Sequence, residues 1–399
     1  MTTNIGILWL EDNAAANAGY ICTGETANHI KRIPLNELPR QFIWIANHQS
    51  HKFKQLNLGV SGNIKNSKFL GFTLSQVAID LNLPDDLNEK LPILYKVIHQ
   101  FVERIEKAYR IQVSDARFSI LALLNELITL PQFHSRPNLN GRPCRDLEQA
   151  ITNSIQKVQG VLNRPDRDMH KVVMGRFPRS PYFLTIVNQI YPQSHTFDET
   201  REFEGKIIGI NQQGNVEADS QDIIAALIKF SENKAGVIRF AHNSTIPKYQ
   251  NSFPLGKEVV ARPPREWATI PEIIDMANYN SITLGRCYFT NGSRLVNVPP
   301  IPQASDQFFI SYVNGLVNEV TWMAMSHDSN SALTAYMRAY DRILCRQKAQ
   351  SLVDGKYELA GFSGGSIRCF IRKDDRKEIK RFVMKLEELK LIPQFSILS

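Results

Sequence analysis

Three arginines, Arg338, Arg342 and Arg346, recur at every fourth position, with Tyr336 and Tyr340 beside them and Asp341 as the one acid among them. On a helix that spacing puts all three on one face. Like charges four residues apart repel, so the stripe calls for a negative partner: carboxylates from elsewhere in the fold, or phosphates. A second basic set follows in Arg372, Lys373, Arg376, Lys377, Lys380, Arg381 and Lys385. Ile379, Phe382, Val383, Leu386 and Leu389 fall between them at helical spacing, which predicts one buried face and an outward basic one. Between the two sets lies the turn Gly361-Phe362-Ser363-Gly364-Gly365-Ser366. Such a turn could aim backbone N–H groups at an anion. It lacks the Gly-Lys-Ser/Thr of a P-loop.

Arginine also recurs beside proline, at Arg136-Pro137, Arg142-Pro143, Arg164-Pro165, Pro178-Arg179 and Arg262-Pro263. Proline stiffens the backbone there, and a guanidinium so held can meet a phosphate bidentately. Aromatics interleave in two of these stretches: Arg176 and Arg179 with Phe177, Tyr182 and Phe183, and Arg262 and Arg265 with Trp267. Cations beside aromatic platforms suit single-stranded nucleic acid, whose bases stack while its phosphates pair. The opposing reading has these arginines cap helices or bridge internal carboxylates. Residues 48–69 add a basic loop with Lys52 and Lys54 and no acid, readable as a phosphate-binding arm or as a solvated loop.

Signatures of catalysis are sparse. Glu204-Gly205-Lys206 resembles half of a metal-dependent nuclease site, with Asp166 or Asp168 as the upstream acid, but it precedes a strand instead of following one. Thr73 to Leu83 has the pattern of a first helix and turn of a helix-turn-helix, yet Pro84-Asp85-Asp86 opens the next helix with charge that repels DNA. His48 and His51 have no third ligand near them, and His327-Asp328 has no nucleophile motif. No catalytic residue, metal or cofactor is expected.

The elements that must position these residues form an α+β chain. Ile5–Leu10, Gly19–Thr23, His29–Ile33 and Phe42–Ala46 read as strands. Pro92–Arg110, Asp115–Leu130 and Asp146–Leu162 read as helices. After Arg201, strands at Lys206–Ile210, Gly236–Phe240 and Ile282–Phe289, the last ended by an Asn291-Gly292 turn, alternate with helices at Ser220–Phe230 and Pro271–Asn278. The expected division is a β-rich region 1–83, a helical subdomain 84–200 and an α+β domain 201–399, with a basic module at 336–399. That module holds 14 Lys and Arg against 8 Asp and Glu, so six of the chain's eight net positive charges lie there. An apolar share of 43% with 22% charged residues argues for a folded chain. Five cysteines without a CxxC pair argue against a zinc ribbon and fit a reducing cytoplasm. Met1 to Asp12 lacks the basic start and long apolar stretch of a signal peptide and no apolar run approaches membrane length, so neither a leader nor a membrane partner is expected.

The order of arginine-bearing helix, glycine turn, apolar run Ile367–Ile371 and basic helix Asp374–Leu391 resembles the ferredoxin-like modules of CRISPR-associated RNA-binding subunits. The resemblance covers residues 336–399, rests on element order, and implies a ferredoxin-like end and an RNA partner without assigning residues. Together these features predict a non-enzymatic subunit of a prokaryotic nucleoprotein complex, of CRISPR-type effector or mobile-element machinery. It would bind RNA or single-stranded DNA and other protein subunits. A metal-dependent nuclease and a protein that docks an acidic protein partner are the alternatives.

Overall fold

The computed structural model describes residues 3–10, 18–47, 64–65, 70–114, 123, 136–155, 170–243, 265–294, 307–327 and 331–394. Lys52, Lys54, Arg164, Asp166, Asp168 and Arg262 lie outside the described residues. The fold is α+β with a β-rich N-terminal part. Two compact units are present, residues 1–127 with 299–324, and residues 128–298 with 325–399; the range 1–83 lies within the first, and 84–200 and 201–399 are each divided between the two.

The first unit is built on strands β1 (Ile5–Leu10), β2 (Ala18–Cys22), β3 (Ile30–Pro34), β4 (Ile43–Ala46) and β5 (Ile64–Lys65), in the order β3-β2-β1-β4-β5. Central β1 pairs antiparallel with β2 and parallel with β4, which explains its unbroken apolar run Ile-Gly-Ile-Leu-Trp-Leu. Helix α1 (Leu74–Asp80) is capped by Thr73 Oγ1, which accepts from Gln76 N at 3.1 Å. Helix α2 runs Leu87–Tyr109, starting a turn before Pro92 because Asp86 caps it, accepting from Asn88 N at 3.0 Å. Leu94, Val97, Ile98, Phe101, Val102 and Ile105 form its buried stripe, and Ile93 stays on the outer side. Residues Gln307–Met325 form a further helix.

The second unit carries two sheets. Its elements in chain order are β6 (Asn138–Leu139), β7 (Arg142–Pro143), α3 (Arg145–Ile155), β8 (His170–Arg176), α4 (Arg179–Val187), β9 (Tyr191–Pro192), β10 (Thr196–Thr200), β11 (Ile207–Ile208), α5 (Ser220–Ser231), β12 (Lys234–His242), β13 (Trp267–Thr269), α6 (Ile270–Ala277), β14 (Ile282–Ser293), α7 (Ala332–Asp354), β15 (Glu358–Ser363), β16 (Ser366–Arg372), α8 (Arg376–Glu388) and β17 (Ile392–Gln394). The larger sheet runs β13-β12-β14-β10-β6-β7. Strand β14 does not stop at Asn291-Gly292; it continues to Ser293, where Gly292 pairs with Pro192.

The smaller sheet has the order β15-β16-β8-β17, antiparallel throughout. With α7 before β15 and α8 between β16 and β17, this is the βαββαβ order of a ferredoxin-like fold. The stretch 336–399 holds only three of its strands; the central one is β8, from residues 170–176. The C-terminal module is therefore closed by a distant strand.

Candidate nucleic-acid interface

The arginine stripe lies on α7 and points inward. Arg342 is 5% and Arg346 3% exposed, which decides their role. Arg342 Nε donates to Glu272 Oε1 at 2.7 Å and Nη2 to Glu272 Oε2 at 2.9 Å. Arg265, also buried, donates to Glu272 Oε1 at 2.9 Å. Arg346 makes a two-point pair with Asp275, at 2.6 and 2.5 Å, and its guanidinium stacks on the Tyr279 ring at 3.8 Å. The negative partner that the stripe demands is thus carboxylate, from α6. The expected phosphate contacts of Arg265, Arg342 and Arg346 are replaced by internal ion pairs. Burial alone would raise the Glu272 carboxyl; the flanking Arg265 and Arg342 guanidiniums outweigh it and hold the group at about 2. Arg338 is half-buried, and burial lowers its affinity for a proton.

Asp341, the acid in the stripe, closes the glycine turn. Its carboxylate accepts from Gly364 N at 2.8 Å, from Gly365 N at 3.1 Å and from the Tyr182 hydroxyl. Gly364 and Gly365 both take positive φ, +59° and +68°, which aims their N–H groups to one side. The turn is an anion cradle as its sequence suggests, and its anion is Asp341. Burial, and next the nearby Asp341 charge, push the Tyr182 hydroxyl well above its usual range.

The remaining cations of the module divide between two surfaces. Gly175 lies under Leu386 and Leu391, so α8 covers the sheet face that carries Gly175 and its partner Ile367. Strand alternation then puts Arg368, Phe370 and Arg372 of β16 on the opposite face, beside Met174, Val172 and His170 of β8. Arg176 shares that face, paired with Ser366. Arg368 and Arg372 are exposed and held in no ion pair among the described residues, Val172, Met174 and Arg176 are half-buried, and Phe370 is buried. The second surface is the outer side of α8: Phe382 and Leu386 are buried inward, while Arg376, Lys377, Lys380 and Arg381 are exposed. Asp375 caps this helix, accepting from Glu378 N at 2.8 Å.

No family model matches the sequence, and no curated protein does. Among solved structures, Phi29 DNA polymerase with primer-template DNA is similar at a TM-score of 0.38 and 10% identity, over 77% of this chain and 60% of the polymerase. The same polymerase with single-stranded DNA gives a TM-score of 0.37 at 11% identity, over 79% and 61%. The chain thus spans about three fifths of the length of the polymerase.

The other sequence candidates scatter. Arg179 is buried at the start of α4. Glu204 pairs with Arg201 at 3.7 Å, and Lys206 Nζ lies over the Phe203 ring at 5.6 Å. Among the described residues no three His, Cys, Asp or Glu side chains converge, and no helix is long and apolar enough to cross a membrane. Arg368 is not singled out by sequence because its meaning depends on β8. The alternation Ile367, Arg368, Cys369 is the signal that points to it.

Proposed function

We propose that the chain is a non-enzymatic nucleic-acid-binding protein that engages RNA or single-stranded DNA on the sheet face of its ferredoxin-like module, as a subunit of a prokaryotic nucleoprotein complex. The observation that carries this is the pairing of exposed Arg368 and Arg372 with half-buried Val172 and Met174 on one face. Two unpaired guanidiniums offer bidentate phosphate contacts. The half-buried Val172 and Met174 beside them offer apolar contact to unstacked bases, which a duplex does not present. Arg376, Lys377 and Lys380 on α8 supply a longer-range attraction for the same polyanion.

Fluorescence anisotropy with a labelled single-stranded oligonucleotide tests this. Arg368→Glu with Arg372→Glu should weaken binding at least tenfold. It should also flatten the dependence of log affinity on log salt, by about 0.7 for each phosphate that is no longer neutralised. Wild-type affinity in the double variant, or binding indifferent to salt, would sink the proposal. An acidic protein partner that nucleic acid fails to displace would favour the docking alternative.

A further inference from the structure

A cleft of about 350 Å³ in the second unit opens where β12 ends and β14 begins. Its walls include Asn211, Glu217, Asn243, Tyr279, Asn280 and Ser281, and no lysine or arginine lines it among the described residues. A site without cations and with a carboxylate in its wall does not suit a phosphate; it suits a neutral polar ligand. Its volume is at the lower end for small-molecule sites, enough for one flat ring system.

Three features give the ligand a shape. Asn280 is 3% exposed, and its Nδ2 is buried without a hydrogen-bond partner. Buried amide donors are almost always paired, so this one calls for an acceptor that the chain does not supply. Glu217 stands in a fixed network: Asn243 Nδ2 donates to Ser281 Oγ at 2.9 Å, and Ser281 Oγ donates to Glu217 Oε1 at 2.5 Å. Thr283 Oγ1 donates to Asn243 Oδ1 at 2.8 Å, which orients that amide. The second oxygen of the Glu217 carboxylate remains an acceptor. Tyr279 is 38% exposed at the rim, and the Arg346 guanidinium backs its ring at 3.8 Å, itself locked by Asp275. A ring so braced is a rigid stacking platform.

We propose that this cleft takes one unpaired nucleobase. The edge of each base places an acceptor beside an N–H donor, a ring nitrogen beside the amino group in adenine and cytosine and a carbonyl beside the ring N–H in uracil, which matches the Asn280 amide and the Glu217 carboxylate, while the ring plane lies on Tyr279. This rests on the chain being a nucleic-acid binder and adds a base-binding cleft to it.

The test is calorimetric titration of the full chain with adenosine, cytidine and uridine. All three should bind, and ribose alone should not. Tyr279→Ala, at an exposed site, should weaken all three by about five- to a hundredfold, the range for removing one base–aromatic stack. Glu217→Ala should weaken all three by about tenfold, the loss of a hydrogen bond to a charged group. Binding of none of the three, or indifference to Tyr279→Ala, would overturn the proposal. So would a hexose that binds with the same dependence on Tyr279. The variant with Arg368→Glu and Arg372→Glu separates the two claims. If it binds nucleosides normally while oligonucleotide affinity falls, both stand. If the wild type binds oligonucleotides but no nucleoside, only the cleft falls.

Discussion

Glu272 is the residue on which the interior of the second unit turns, because one carboxylate compensates both Arg265 and Arg342. Replacing a buried pair by apolar groups can be neutral, but removing one partner strands the other charge. Glu272→Gln strands two, so urea unfolding should show a loss of about 3–5 kcal/mol. Arg342→Ala should fail the same way, losing stability before affinity. The acid limit follows from the same group. Its folded pKa of about 2 lies below the ordinary 4.5. The stability it contributes is therefore complete above about pH 4.5 and is lost as pH falls toward 2. Unfolding midpoints measured between those values should fall with pH in the wild type, and less steeply in Glu272→Gln. The spacing of Arg338, Arg342 and Arg346 was legible because it is local. Their partners were not, since Glu272 and Asp275 precede them by some 70 positions and no helical period connects the two helices. The mutual repulsion of the stripe correctly demanded an anion; only the fold could say which.

At the scale of elements, the β15–β16 hairpin and α7 are joined by Asp341. Its carboxylate satisfies two turn N–H groups and the Tyr182 hydroxyl in a buried setting. Asp341→Asn keeps the shape but sets an amide N–H₂ among donors, which should cost about 1.5–3 kcal/mol by thermal unfolding. Gly365→Ala adds a positive-φ cost to a Cβ that would sit 2.8 Å from the Tyr182 ring. It should destabilise by more than about 1 kcal/mol, whereas a glycine-to-alanine change at the open Gly214 turn should cost only the backbone term. Helix α8 was fully readable: Phe382 and Leu386 at helical spacing are its buried face, and the cations are its outer one. Strand β8 was not, because His-Lys-Val-Val-Met-Gly-Arg has neither clean alternation nor a long apolar run. It is a strand because β16 and β17 pair on either side of it. Without that one strand, the sheet face on which Arg368 and Arg372 meet Met174 and Val172 stays hidden.

Across the whole molecule, net charge is a poor guide until burial sorts it. The basic C-terminal stretch looks uniform in sequence, yet Arg342 and Arg346 are neutralised internally while Arg368, Arg372, Arg376, Lys377 and Lys380 face solvent. Only the second group can attract a polyanion. The sheet face and the α8 surface differ in what they offer, since the sheet face sets Val172 and Met174 beside its arginines while the exposed side of α8 carries Met384 as a single apolar side chain. Its contribution should be long-range and salt-screened, whereas the sheet face should make contacts that hold a bound strand. Arg376→Glu, Lys377→Glu and Lys380→Glu together should therefore slow association in stopped-flow measurements at low salt and leave dissociation nearly unchanged. Arg368→Glu with Arg372→Glu should mainly speed dissociation. Neither set should change the unfolding free energy by more than about 0.5 kcal/mol, because exposed side chains away from packing rarely do. If the α8 variant speeds dissociation as much as the sheet variant, bound nucleic acid lies along the helix and the sheet face is not the site.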